Sequence, residues 1–101
     1  MTYQREIGPG GIEAKFVKAA KRARCLVRKL QWGCRNGAPD RLIIFPDGRL
    51  YFVELKSPGR KPDPHQLREH ARLMGYGQRV YTLDTEQAIN AFFEEHTHAT
   101  S

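Results

Sequence analysis

The sequence predicts an α/β fold, a small mixed β-sheet flanked by helices in αβββαβ order with a further C-terminal helix. Three observations predict it. Apolar residues recur at helical spacing through residues 12–31. Pro46-Asp47-Gly48 separates two apolar runs and reads as a hairpin turn. Residues 50–83 read strand, helix, strand, which favours parallel strands joined by a right-handed crossover. A chain of 101 residues suffices for one such domain and not for two.

Residues 1–11 read as a flexible tail with the breaker cluster Gly8-Pro9-Gly10-Gly11, followed by a single domain over residues 12–95 and a frayed tail over 96–101. Phe16, Ala19, Ala20, Ala23, Leu26, Val27 and Leu30 form the stripe of a long first helix. The Gly-rich stretch after it has room for a short strand around Cys34. Arg41-Leu42-Ile43-Ile44-Phe45 is the first hairpin strand and residues 50–56 the second. Asp63 caps the next helix, Pro64 suits its first turn, Gln66 completes a capping box and Gly75 ends it. Leu67, Ala71 and Met74 supply its predicted apolar face. Residues 79–83 form the last strand. Asp84 with Gln87 caps the last helix, whose core residues are Ala88, Ile89, Phe92 and Phe93.

Composition narrows the function. No apolar run reaches the length of a membrane span, and no secretory signal opens the chain. Cys25 and Cys34 match neither a disulfide framework nor a zinc motif, so a reduced, cytoplasmic protein is expected. The four histidines form no ligand spacing and are read as structural or solvent-facing. The net charge of +6 points to a polyanionic partner. The excess is concentrated: Lys15, Lys18, Lys21, Arg22, Arg24, Arg28, Lys29 and Arg35 face a single acid, Glu13, over residues 12–35. With Arg60 and Lys61 in the later loop they are the candidate DNA contacts, a solvated helix face being the plainer alternative.

The sharpest inference concerns two acids. A three-residue turn at Pro46-Asp47-Gly48 pairs Phe45 with Arg49, Ile44 with Leu50 and Leu42 with Phe52, and so sets Asp40 opposite Glu54. Like charges in that position repel. A divalent cation converts the repulsion into ligation. Lys56 shares the Glu54 face by strand alternation. Glu13 borders the apolar stripe of its helix and is expected to point toward the sheet. Each has a plainer reading. Asp40 is also a good turn residue after Pro39, and Glu54 with Lys56 also fits the open side of an edge strand. Glu13 also suits a first helical turn, and Gln66 a capping box alone.

Gly37-Ala38-Pro39-Asp40 followed by Glu54-Leu55-Lys56 resembles the PD-(D/E)xK nuclease signature. Three further features make the match more specific: the Glu-x-Lys strand running into Ser57-Pro58-Gly59, Gln66 opening a helix, and an upstream helix carrying Glu13. Together they resemble the VRR-NUC family, the virus-type replication-repair nuclease module, over nearly the whole chain. The resemblance implies a restriction-endonuclease-like core and Mg²⁺- or Mn²⁺-dependent phosphodiester hydrolysis. Asp40, Glu54 and the Leu55 backbone carbonyl would ligate the metal, and Glu13 would act through a water or a second metal. Lys56 would orient or deprotonate the attacking water, and Gln66 would position Lys56 or the scissile phosphate. The stand-alone module resembles phage and bacterial versions, which look like homodimers acting on branched DNA, Holliday junctions included. A binding-only DNA or junction domain, or another nuclease of the superfamily with a different substrate, are the alternatives.

Overall fold

The computed structural model describes residues 11–33 and 35–98, built on one four-stranded sheet. Helix α1 (Ile12–Arg22) is followed by strands β1 (Leu26–Lys29), β2 (Arg41–Ile44) and β3 (Leu50–Leu55). Helix α2 (Pro64–Gly75), strand β4 (Val80–Leu83) and helix α3 (Glu86–His98) complete the fold. The strands lie in the order β1-β2-β3-β4. The first three are mutually antiparallel, and β3 and β4 run parallel across α2.

The hairpin register is the expected one. Ile44 pairs with Leu50 and Leu42 with Phe52, and the Phe45 N–H donates to the Arg49 carbonyl at 2.8 Å. Gly48 closes the turn with φ +96°, a conformation that glycine adopts without strain. Alternation then sorts the sheet. Ile43, Tyr51, Val53 and Leu55 face a core with Phe16, Ala19 and Ala20 of α1 and Ile89, Phe92 and Phe93 of α3. Glu54 points to the other face, where α2 lies.

Four expectations are corrected. The first helix does not reach residue 31: Arg24 takes φ +62° and the chain turns into β1. The added strand is therefore residues 26–29, whereas the expected one, around Cys34, falls on a residue outside the described set. The helical stripe misled because Val27 packs on the core from a strand as well as from a helix, and pairing with β2 supplies ladder hydrogen bonds that no helix offers that edge. Only Lys15, Lys18, Lys21 and Arg22 of the basic stretch thus lie on the helix.

The face of α2 is also rotated from expectation. Leu67 and Met74 are 53% and 51% exposed, while Glu69 and His70 are buried. Helix α3 is capped by Thr85, whose Oγ1 accepts from the Ala88 N–H at 3.0 Å, one residue beyond Asp84. It also continues past residue 95. His96 is buried, its ring 4.4 Å from that of Tyr51 and 4.6 Å from that of Phe92. Residues 1–10 and 99–101 of the expected tails lie outside the described set.

Candidate active site

Strand β3 ends in a polar cluster on the α2 side of the sheet. Glu54 is fully buried. Its Oε2 accepts from Gln66 Nε2 at 2.8 Å and lies 3.2 Å from Lys56 Nζ. Its Oε1 faces His70 Nε2 at 3.7 Å, and among the described residues neither of those two atoms has a hydrogen-bond partner. Burial, and then the negative charge of Asp40, push the Glu54 carboxyl up to about 7 against the opposing pull of Lys56. Burial, reinforced by the Lys56 charge, holds the His70 imidazole below its usual value.

Asp40 reaches this cluster from the start of β2. Since Arg41 pairs with Val53, the next step of the ladder sets Asp40 across from Glu54. Asp40 Oδ2 accepts from the Leu55 N–H at 2.8 Å, and its carbonyl accepts from the Leu30 N–H at 3.0 Å. The segment before it is seated by Gly37, at φ +97°, where a Cβ would stand 2.8 Å from the His65 carbonyl oxygen of α2. Both the backbone conformation and the close approach require glycine there.

Glu13 arrives from the core side. Its Oε2 pairs with Arg41 Nη2 at 2.9 Å, an arrangement that joins α1 to β2. Its expected direction toward the sheet holds, and its partner there is an arginine. A cleft of about 380 Å³ is lined by Glu13, Asp40, Lys29, Leu30 and Gln31. Asp40, Glu54, Lys56 and Gln66 are thus gathered by direct contact or adjacency, and Glu13 joins Asp40 across the cleft.

The candidate DNA contacts are dispersed. Lys15 pairs with Glu86 at 3.4 Å, while Lys18, Lys21 and Arg22 are exposed on α1. Arg24 stands in the turn, Arg28 and Lys29 on the edge strand β1, and Arg60 and Lys61 are exposed in the loop after β3. Arg35 Nε donates to Glu69 Oε1 at 3.1 Å, and Trp32 Nε1 donates to Glu69 Oε2 at 2.8 Å. Burial alone would raise the Glu69 carboxyl, but these two hydrogen bonds hold it below its usual range.

Sequence reasoning missed His70, Arg41, Trp32 and Glu69. A signal for two of them was present. Gln66, Glu69, His70 and Leu73 stand at i, i+3, i+4 and i+7, one helical face, and Gln66 was already a candidate.

The donors fit a divalent cation in kind. Carboxylate and carbonyl oxygens suit Mg²⁺ or Mn²⁺. The buried, unpartnered Glu54 Oε1 is a lone acceptor beside a second carboxylate. Among the described residues no three His, Cys, Asp or Glu side chains form a metal-holding group. A cation would therefore rest on two carboxylates, a backbone carbonyl and water, a ligand set ordinary for Mg²⁺.

No family model matches the chain. A protein of Acyrthosiphon pisum secondary endosymbiont phage 1 named "Putative nuclease p44" is 43% identical over 82 residues, spanning 81% of this chain and 88% of its own. A solved structure described as a VRR_NUC domain is 38% identical with a TM-score of 0.78, and the match covers 82% of this chain and 90% of that one.

Proposed function

The chain belongs to the VRR-NUC family of nucleases, and on that premise we propose that it is a metal-dependent, structure-selective DNA endonuclease of the PD-(D/E)xK type. The observation that carries this reading is Glu54: buried, opposed by Asp40, with one oxygen engaged by Lys56 and Gln66 and the other without a hydrogen-bond partner among the described residues. A binding-only domain has no use for such a carboxylate, which costs folding free energy and repels phosphate.

Asp40, Glu54 and the Leu55 carbonyl would hold Mg²⁺ or Mn²⁺, with Glu13 contributing through a water or a second ion. When bound, the cation polarises the phosphoryl oxygen and makes water more acidic. The chain's own groups do the positioning. The Lys56 ammonium, anchored on Glu54, has further N–H donors with which to orient the attacking water. Gln66 fixes Glu54 through its Nε2 while its Oε1 accepts from the Asp63 N–H at 2.8 Å, so the helix start and the site share one amide. The substrate is branched DNA, Holliday junctions included, cut by a homodimer. A four-way junction is nearly two-fold symmetric, and paired incisions need two sites.

The test incubates the protein with a labelled four-way junction, a flap and a linear duplex, each with Mg²⁺, Mn²⁺ or EDTA. Cleavage of the branched substrates is expected only with metal. Asp40→Ala and Glu54→Ala should each lower it by about 10² or more while leaving binding in place. Binding to every substrate without cleavage under any metal would sink the enzyme reading. Undiminished cleavage in both variants would sink the site assignment.

A further inference from the structure

Beside the acidic cleft lies a second one, of about 540 Å³, whose lining includes Leu30, Gln31, Trp32, Arg35, Asn36 and Gly37. The two clefts share Leu30 and Gln31, so a strand entering one continues into the other. The second is mostly polar, with Trp32 its one aromatic side chain beside the aliphatic Leu30. That indole has a single polar group, its N–H, and Glu69 Oε2 takes it at 2.8 Å. What Trp32 has left to offer the cleft is the ring. Its orientation is fixed from behind: Glu69 is buried, is held by Arg35 as well, and belongs to the helix that carries Gln66 and His70.

We propose that Trp32 is a stacking platform for an unpaired base next to the scissile phosphate, with Lys29 and Arg35 flanking it for the adjoining phosphates. The assignment deepens the nuclease reading and rests on it. A base within a duplex has both faces covered by its neighbours, so a rigid indole in a polar, basic cleft favours a nucleotide that has already left the stack. Flaps carry unpaired nucleotides, and pairs at an open branch point lack a stacking neighbour on one side, so their bases leave the stack more readily than in continuous duplex. The ring would therefore select branched over continuous DNA without reading sequence, since every base has a π-face.

Trp32 is the chain's single tryptophan, so its emission reports this site alone. The full chain is titrated in EDTA with oligothymidylate and with a duplex hairpin of equal phosphate number. Tryptophan emission and the anisotropy of the labelled DNA are followed together. Oligothymidylate should quench the emission strongly and the duplex weakly. Trp32→Ala should weaken oligothymidylate binding by about five- to a hundredfold and duplex binding by less than about twofold. Trp32→Phe, which keeps a ring and loses the N–H, should stay within about threefold of the parent. Binding by anisotropy without a change in emission overturns the proposal. So does an equal loss on both DNAs in Trp32→Ala, or a Trp32→Phe as weak as Trp32→Ala, the mark of a mere tether to Glu69. Those results leave the nuclease reading standing, whereas failure to bind any DNA, in Ca²⁺ as well as in EDTA, overturns both.

Discussion

Glu54 sits where a carboxylate is costly. Its folded value of about 7 lies above the ordinary glutamate value of 4.5. Between them the folded protein holds a proton that the unfolded chain has released. The stability tied to that proton is fully present below pH ~4.5 and is lost as pH rises through ~7, by roughly 3 kcal/mol when complete. Urea unfolding at pH 5 and pH 8 checks this. The wild type should lose stability across the window, Glu54→Gln should lose much less, and Mg²⁺ at pH 8 should restore the wild type alone. Parallel losses in the two proteins would refute it. Gln66 allows a second test. Gln66→Glu keeps the oxygen that serves the Asp63 N–H but removes the donor to Glu54 and sets two carboxylates together. It should destabilise the fold by roughly 2 kcal/mol at pH 8 and by less at pH 5, where the new pair is protonated. Equal losses at the two pH values in thermal melts would show that only packing was disturbed. Glu54, Lys56 and Gln66 were readable in the sequence because strand alternation and helix capping are local rules. The Arg41 partner of Glu13 was not, because it depends on where α1 lies against β2, which no spacing within either segment encodes.

At the scale of elements, the hairpin was legible almost completely. Its turn residues fix the register, and the register fixes what opposes Asp40. The first helix was overextended because Leu26, Val27 and Leu30 satisfy a helical period by accident, whereas Leu26 and Val27 pair with β2 and the Leu30 N–H donates to the Asp40 carbonyl. The face of α2 was misread for a related reason. Apolarity normally marks the buried side, yet this helix is held against the site by Gln66, Glu69 and His70, leaving Leu67, Met74 and Tyr76 exposed. The polar face makes the Gly37 approach to α2 a structural joint between the loop that leads into Asp40 and the helix. Gly37→Ala meets both a left-handed backbone and a Cβ 2.8 Å from the His65 carbonyl. It should cost roughly 1–3 kcal/mol, and because the strain falls three residues before Asp40, activity should drop further than stability predicts. Melting and cleavage measured on the same preparation decide it: a variant with unchanged melting temperature and unchanged rate would refute the joint.

For the molecule as a whole, the +6 charge is distributed rather than carried on one helix. Lys18, Lys21 and Arg22 on α1, Arg24 in the turn and Arg28 and Lys29 on β1 form a continuous run of chain at the β1 edge of the sheet. If that run meets the phosphate backbone, replacing Lys21, Arg22 and Arg24 by Ala should lower the slope of log affinity against log salt by about 2–3. An unchanged slope would move the contact to another face. The domain extends only 36 Å in its longest direction, about one turn of duplex, so one copy reaches one arm of a junction with one active site. Paired cutting within a single encounter then requires two copies acting together. Mixing wild type with Asp40→Asn, and allowing subunits to exchange, tests this on a supercoiled plasmid bearing an extruded cruciform. If the proposed homodimer forms, at equal amounts about half of the dimers would be mixed and about a quarter fully active. Linear product should fall to about a quarter while nicked circles rise, since a mixed dimer cuts one strand and lacks the site for the other. A protein that works as independent monomers would give the same product ratio as wild type at half the concentration, and that result would remove the dimer from the mechanism.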